Sequence, residues 1–101
     1  MRLRVELAEG VSEWESDMAL FRIGRGDACA LRFEGDAAKY SSWEHAEFLA
    51  DGRGGVTITD LGSSNGTYVN GERIECPTKL SVGDTVRIGG KGPTLHVLEL
   101  P

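Results

Sequence analysis

Three short polar stretches carry residue types that bind anions. They are Gly24-Arg25, Ser42-Trp43-Glu44-His45 and Gly62-Ser63-Ser64-Asn65-Gly66-Thr67. Arginine presents a planar fork to phosphate oxygens, and hydroxyls and amides complete such a site with short charge-assisted hydrogen bonds. The side chain of Asn65 both donates and accepts, so it can bind a peptide backbone beside the phosphate. These residue types therefore favour binding of a phosphate monoester carried on a peptide.

The third stretch is followed by the signals of a tight hairpin. Asn70-Gly71 is typical of a two-residue type I′ turn, because both residues tolerate a positive φ. Thr67-Tyr68-Val69 is β-branched and aromatic and predicts a short strand before that turn. We expect this hairpin to anchor the loop and to present Ser63, Ser64 and Asn65 to solvent.

Alternation of apolar and polar residues predicts further short strands that position these loops. The predicted strands cover 2–7, 18–23, 31–33, 45–49, 56–59, 80–82, 86–88 and 94–100, whereas 8–17 and 34–42 are predicted to be turn or loop. No window has a convincing 3.6-residue period, so helices are expected to be few or absent. Many short strands separated by turn signals indicate an all-β sandwich or barrel, in which the polar loops can meet at one end.

Length and composition restrict the class of protein. At 101 residues the chain predicts one domain over residues 1–101, and no apolar run suggests a signal peptide or a membrane span. A net charge of −5 argues against a nucleic-acid partner. Cys29 and Cys76 lack CxxC spacing and are interpreted as reduced thiols of a cytoplasmic protein, with a single disulfide as the alternative.

Taken together, the motifs resemble the forkhead-associated (FHA) domain family. The matching segments are Ile23-Gly24-Arg25, Ser42-Trp43-Glu44-His45-Ala46, residues 60–67, Val69-Asn70-Gly71 and residues 80–84, in the order and spacing of the family over essentially the whole chain. The resemblance implies a β-sandwich of two twisted, largely antiparallel sheets with the ligand loops at one end. It also implies a non-catalytic module, without cofactor or metal, that binds phosphothreonine-containing protein segments in Ser/Thr kinase signalling.

The resemblance further implies a role for each residue of the motifs. Arg25 would pair with the phosphate, Ser42 would donate its hydroxyl to it, and Asn65 would bind the peptide backbone. Phosphothreonine would be preferred over phosphoserine, because its methyl group packs into a small pocket beside Ser64. The phosphopeptide-binding set is Arg25, Ser42, Trp43, Ser63, Ser64 and Asn65. The supporting set is Gly24, His45, Gly66, Thr67, Asn70 and Gly71, in which His45 braces the Ser42 loop through hydrogen bonds.

Position 43 departs from the family, which usually reads Ser-Arg-x-His where this chain reads Ser42-Trp43-Glu44-His45. Loss of that cation would weaken phosphate binding by about 1–2 kcal/mol, the scale of one charged hydrogen bond. Trp43 could compensate by packing on the peptide, or it could fill a local gap, and the sequence leaves both roles open. Glu34, Asp36 and Glu44 predict that a strongly acidic peptide is disfavoured.

The same residues give other functions less support. A hydrolase triad of Ser42, His45 and Asp60 lacks a nucleophile-elbow pattern, and a metal site from the cysteines and histidines lacks ligand spacing. The serious alternative is an FHA-like domain that docks proteins independently of phosphate, with a weak or unused pocket. The chain could also be part of a larger multidomain protein.

Overall fold

Residues 1–101, which the computed structural model describes in full, form two β-sheets packed face to face. The strands are β1 Arg2–Leu7, β2 Gly10–Glu15, β3 Leu20–Gly24, β4 Leu31–Arg32, β5 Ala46–Ala50, β6 Val56–Asp60, β7 Thr67–Val69, β8 Glu72–Arg73, β9 Thr78–Leu80, β10 Thr85–Ile88 and β11 Thr94–Glu99. One 3₁₀ helix, Gly35–Tyr40, precedes β5. No helix is long and apolar enough to cross a membrane.

The strand order confirms the predicted sandwich. One sheet has six strands in the order β2-β1-β11-β10-β7-β8, and the other has five in the order β4-β3-β5-β6-β9. Every pair of neighbours is antiparallel except β3 and β4. The largely antiparallel arrangement lets each strand bury one face and expose the other, as the alternating sequence requires.

The inner faces of the two sheets share one hydrophobic core. Leu3 and Leu95 from the six-stranded sheet, with Phe48 and Ile58 from the five-stranded sheet, are completely buried in it. The Phe48 ring stacks on the ring of Phe21 with 4.8 Å between centroids. Burial of such side chains contributes about 1.5–3 kcal/mol each, so the alternation read from the sequence is also what fixes the register of the strands.

The sequence-based assignment was wrong at the first connection. Residues 8–17 were predicted as a turn, but Gly10–Glu15 forms β2, an edge strand paired with β1. All of its residues except Trp14 are exposed, so it lacks the apolar alternation that marks a half-buried strand. Trp14 reaches back to the core edge and lies 5.1 Å from the Phe21 ring. The predicted loop 34–42 likewise contains the short 3₁₀ helix.

Strand register places the three polar loops at the same end of the sandwich. Ile23 near the end of β3 pairs with Ala46 at the start of β5, and Ala46 also pairs with Asp60 at the end of β6. In the other sheet, Thr67 at the start of β7 pairs with Ile88 at the end of β10. The loops that follow β3, precede β5 and join β6 to β7 therefore emerge side by side, next to the β10–β11 turn.

The hairpin between β7 and β8 has the predicted geometry. Asn70 and Gly71 both have positive φ, at 52° and 87°, and Val69 pairs directly with Glu72. The Asn70 side chain also ties the turn to β10, because its Oδ1 accepts the Thr85 N–H at 3.0 Å. The turn thus depends on a residue that can adopt the left-handed conformation without strain at position 71.

We expect Gly71→Ala to lower the free energy of unfolding by about 1–2 kcal/mol, the cost of an L side chain in the left-handed region. Space is not the cause, since no atom lies within 4 Å of a Cβ built at this position. Chemical denaturation measures the change. Gly90→Ala is the matched control, because Gly90 has no positive φ and its nearest neighbour, the Tyr68 hydroxyl, would lie at 3.9 Å. Equal stability of the two variants would contradict the strain at position 71.

Candidate functional site

The loop after β3 is held against the segment before β5 by backbone hydrogen bonds. The Arg25 N–H donates to the Ser42 carbonyl at 3.2 Å, and the Gly26 N–H donates to the Trp43 carbonyl at 2.9 Å. Gly24 allows this approach, because a Cβ there would collide with the Trp43 carbonyl oxygen. The predicted supporting role of Gly24 thus has a direct steric basis, and Arg25 is brought beside Ser42.

The Arg25 guanidinium is oriented by two contacts. Its Nε donates to the Ser41 carbonyl at 3.0 Å, and its Cζ lies 5.5 Å from the centroid of the Trp43 ring. The side chain has no carboxylate within salt-bridge distance, and neither terminal Nη has a hydrogen-bond partner in the protein. The cation is therefore fixed at one nitrogen and presents its other donors outward, as a phosphate ligand requires.

Trp43 packs on the loop that follows β3 and also remains half exposed. A Cβ at position 26 would lie 2.6 Å from the indole Nε1, so the ring covers the backbone of Gly26. Together with the cation–π contact to Arg25, this gives Trp43 a local packing role. Trp43 nevertheless has an exposure of 51%, so part of the side chain remains open to solvent.

A hydrogen bond joins the second loop to the third. The Ser42 Oγ accepts the Ser64 N–H at 3.0 Å. Because the Ser42 hydroxyl uses only an acceptor position in this bond, its own hydrogen remains free to donate to a ligand. Ser64 and Asn65 are exposed, and the Asn65 Nδ2 reaches the Tyr40 carbonyl at 3.4 Å. Arg25, Ser42 and Ser64 are thus linked through hydrogen bonds at one end of the sandwich.

Ser63 does not face solvent, and that expectation was wrong. Its side chain is buried, with a relative exposure of 7%, and its Oγ donates to Asp60 while accepting the Gly66 N–H at 3.0 Å. The Ser63 hydroxyl makes its hydrogen bonds within the loop, because backbone groups that leave the sheet need other partners. Ser63 therefore belongs with the residues that shape the site rather than with those exposed to ligand.

Asp60 organises the whole loop between β6 and β7. Its carboxylate accepts hydrogen bonds from the Ser63 and Thr67 hydroxyls and from the backbone N–H groups of Gly62 and Ser63. Burial opposes the charge, but these hydrogen bonds outweigh it and lower the pKa of Asp60. The sequence-based site lacked this residue, although an Asp two residues before a Gly-Ser pair is a turn-forming signal that could have indicated it.

The buried side chain of His45 connects the second polar loop to the third through hydrogen bonds. Its Nδ1 accepts the Ser42 N–H at 3.1 Å, and its Nε2 donates to the Gly66 carbonyl at 2.8 Å, so the ring is a neutral imidazole. The side chain is completely buried. Burial lowers the pKa of His45 below its ordinary value near 6.5, and the Gly66 carbonyl and Asp60 only partly oppose this shift. These contacts agree with the predicted bracing role.

The acidic residues around the loops are paired with cations. Glu44 contacts Arg22 at 2.9 Å, Asp36 contacts Lys39 at 3.2 Å, and Glu34 contacts Arg32 at 3.6 Å. Each pair is exposed and contributes little stability, but it offsets the carboxylate charge that would otherwise face the site.

A cleft of about 370 Å³ lies beside Tyr40, whose carbonyl is contacted by Asn65. Its walls include Asp36, Lys39, Lys91 and Pro93.

Comparison with known proteins identifies the family. The family model described as FHA domain matches residues 21–89. The FHA domain-containing protein FhaB of Mycolicibacterium smegmatis is 37% identical over 67 residues, which cover 66% of this chain and 41% of FhaB. The chain therefore spans less than two thirds of the length of that relative. It belongs to the FHA domain family.

Solved structures have the same fold. The FHA domain of the CT664 protein from Chlamydia trachomatis superposes with a TM-score of 0.82 at 24% identity, covering 97% of this chain and 95% of that one. An FHA domain from a structural and functional analysis of phosphothreonine-dependent FHA interactions superposes with a TM-score of 0.74 at 26% identity, covering 100% and 99% of the two chains. The β-sandwich inferred from the motifs is confirmed.

We expect the stability of the protein to fall as the pH drops below about 6.5, because the unfolded chain then binds a proton at His45 that the folded chain excludes. The loss levels off once the pH passes the lowered pKa of the folded state. Denaturant unfolding across this pH range measures the loss of stability.

His45→Ala should lower the free energy of unfolding by about 2–4 kcal/mol at neutral pH, since it leaves the Ser42 N–H and the Gly66 carbonyl unpaired.

The same variant should also lose most of the pH dependence in this window. The lowered pKa of Asp60 adds a further loss only at more acidic pH, as that carboxylate becomes protonated below its ordinary value near 3.8. His96→Gln is the control, because His96 lies on the outer sheet face against Glu6 and should leave the dependence on His45 in place. A pH profile that His45→Ala does not change would contradict the buried neutral imidazole.

Proposed function

We propose that this FHA domain is a recognition module for phosphothreonine-containing protein segments. The observation that carries the proposal is the convergence of three loops, in which Arg25 contacts the Ser41-Ser42 backbone and the Ser42 Oγ accepts the Ser64 N–H. A guanidinium, a hydroxyl with a free hydrogen and an exposed loop rich in small polar groups suit a doubly charged phosphate.

Each residue at this end has a distinct proposed role. Arg25 binds the phosphate through its terminal nitrogens, and Ser42 donates its hydroxyl to a phosphate oxygen. Asn65 hydrogen-bonds the peptide backbone, and Ser64 lines the place of the threonine methyl group. Trp43 holds the guanidinium by its cation–π contact and offers its exposed face to the peptide. The cleft beside Tyr40 can receive a side chain that follows the phosphothreonine, and so can set specificity.

The proposed module binds its ligand without chemical conversion. Ser42 has no general base, because both nitrogens of His45 are engaged by the backbone groups of Ser42 and Gly66. A serine nucleophile needs its hydroxyl hydrogen-bonded to such a base. The Ser42 Oγ instead contacts the backbone of the third loop. In this proposal Arg25 and Ser42 contact the phosphate directly, with no metal or organic cofactor between them.

We place this function in Ser/Thr kinase signalling in the cytoplasm, where a kinase creates the ligand. Residues 1–101 would act as a single FHA domain that recruits a phosphorylated partner. If the chain is part of a longer protein, the ligand could also be a phosphorylated segment of that same protein. The rival function, docking independent of phosphate, rests on Trp43, which stands where the family usually has a basic residue. The two functions differ in whether removal of the phosphate abolishes binding.

An oriented library of phosphothreonine peptides, with matched phosphoserine and unphosphorylated libraries, tests this function directly. We expect retention of the phosphothreonine library, weaker retention of phosphoserine and no measurable binding without phosphate. The measurement should be made at about pH 7.5, where the phosphate is doubly ionised and His45 is neutral. Equal retention of all three libraries would establish the phosphate-independent alternative instead.

Arg25→Ala should weaken binding of a selected phosphothreonine peptide by about 10- to 150-fold, or about 1.5–3 kcal/mol, because a charged hydrogen-bond donor is lost. Isothermal titration calorimetry measures the change. Arg53→Ala is matched in charge and lies in the β5–β6 turn, at the end of the sandwich away from the three loops. It should bind like the parent. Unchanged affinity of Arg25→Ala would remove Arg25 as the phosphate ligand.

A further inference from the structure

The outer face of the six-stranded sheet carries two arginines on either side of a tyrosine. In the strand register, Arg87 of β10 lies opposite Tyr68 of β7, and Tyr68 lies opposite Arg73 of β8. Both arginines are exposed and Tyr68 is half-buried, whereas the flanking Thr67, Val69, Val86 and Ile88 point into the core. The three side chains therefore form a continuous row across three strands, named here the Arg73–Tyr68–Arg87 surface.

This surface is continuous with the loop end of the sandwich. The Arg73 side chain lies against Gly66, because a Cβ at position 66 would be 2.7 Å from the Arg73 Nε. On the other side, the Arg87 Nη1 reaches the Gly90 carbonyl at 3.4 Å. Gly66 and Gly89 are joined in turn by a hydrogen bond of 2.8 Å from the Gly89 N–H to the Gly66 carbonyl. The Arg73 guanidinium thus lies against the loop that carries Ser64 and Asn65, and the Arg87 guanidinium lies against the neighbouring β10–β11 turn.

The charge of this surface is not neutralised by the protein. Neither Arg73 nor Arg87 has a carboxylate within salt-bridge distance, although the chain has 16 acidic residues and a net charge of −5. Next along the row from Arg87 come Thr94 and then Glu6, whose carboxylate is hydrogen-bonded to the His96 Nε2 at 2.9 Å. The two arginines therefore leave a local positive region beside the site, on a protein that is negative as a whole.

We propose that the Arg73–Tyr68–Arg87 surface binds a run of acidic residues in the same partner segment that places its phosphothreonine at Arg25, Ser42 and Ser64. This inference rests on the proposed function. Arg73 and Arg87 are two strand spacings apart, about 10 Å, which is about three residues of extended peptide. A single phosphate is too small to bridge that gap, whereas successive Asp or Glu side chains match it, with Tyr68 packing beneath the peptide. The surface adds a preference for acidic sequence to the phosphate contact.

The preference acts on one flank of the phosphothreonine only. On the five-stranded sheet side, Glu34 and Glu44 border the site in exposed ion pairs, and the free guanidinium there, that of Arg25, is assigned to the phosphate. On the six-stranded sheet side, the free arginines favour acidic residues. The expectation that acidic peptides are disfavoured therefore applies to the first side and is reversed on the second.

The test uses three phosphothreonine peptides of equal length, with glutamines on both flanks, with a run of glutamates before the phosphothreonine, or with that run after it. We expect one of the two acidic peptides to bind the parent about 3- to 20-fold more tightly than the neutral peptide, the range for two exposed ion pairs. The gain should shrink between about 0.05 M and about 0.5 M salt, because exposed charges are screened.

Variants locate the gain. Arg73→Ala and Arg87→Ala should each lose about 2- to 5-fold of it while binding the neutral phosphopeptide like the parent. Arg53→Ala, with the same loss of charge at the far end, should keep the gain. Arg73→Lys keeps the positive charge and should restore much of the gain in affinity for the acidic peptide. The melting temperature of Arg73→Ala shows separately whether the packing of Arg73 on Gly66 contributes to stability.

The outcomes separate this inference from the proposed function. If the neutral phosphopeptide does not bind the parent, the phosphothreonine site itself is wrong. If it binds but neither acidic peptide gains affinity, or if the gain survives in Arg73→Ala and Arg87→Ala, the acidic-run surface is overturned and the phosphothreonine site stands. A gain lost equally in Arg53→Ala would reflect net charge only and would overturn the surface too.

Discussion

The buried imidazole of His45 is the contact on which the loop end depends. It holds the Ser42 segment through Nδ1 and the Gly66 carbonyl through Nε2, and it can do both only as the neutral ring. Asp60 completes the arrangement by accepting hydrogen bonds from the residues that begin and end the third loop. The buried His45 and the partly buried Asp60 thus satisfy backbone groups where the loops leave the sheets.

This separation of support from contact explains the distribution of charge. Most carboxylates near the loops form ion pairs, and that of Asp60 accepts hydrogen bonds within its own loop. Arg25 is therefore left without an acidic partner. A guanidinium tethered at Nε and stacked on an indole loses less freedom on binding than a solvated one, because part of the ordering is already complete. Trp43 therefore acts on the cation that remains, in the position where other members of the family add one.

Much of the fold could be predicted because its signals are local. Strands with one buried face, such as β1, β6 and β11, alternate clearly, and Asn70-Gly71 defines its hairpin. The edge strand β2 was not predicted, because almost all of its residues are exposed and show no apolar alternation. It is a strand because it pairs with β1. Ser63 was misplaced for a related reason, since in a run of small polar residues nothing local tells which hydroxyl turns inward.

The sequence alone determined that the chain is all-β with an Arg, Ser and Asn set on its loops, because apolar alternation and turn residues act over a few positions. Alternation left a sandwich or a barrel open, and the resemblance of the motifs to the FHA family selected the sandwich. Only the tertiary structure decided which groups meet. The bond from Ser64 to Ser42 and the one from His45 to Gly66 each join residues more than 20 positions apart. The row of Arg73, Tyr68 and Arg87 likewise exists only because strand pairing sets the register. Such contacts follow from how the sheets pack, which no single segment encodes.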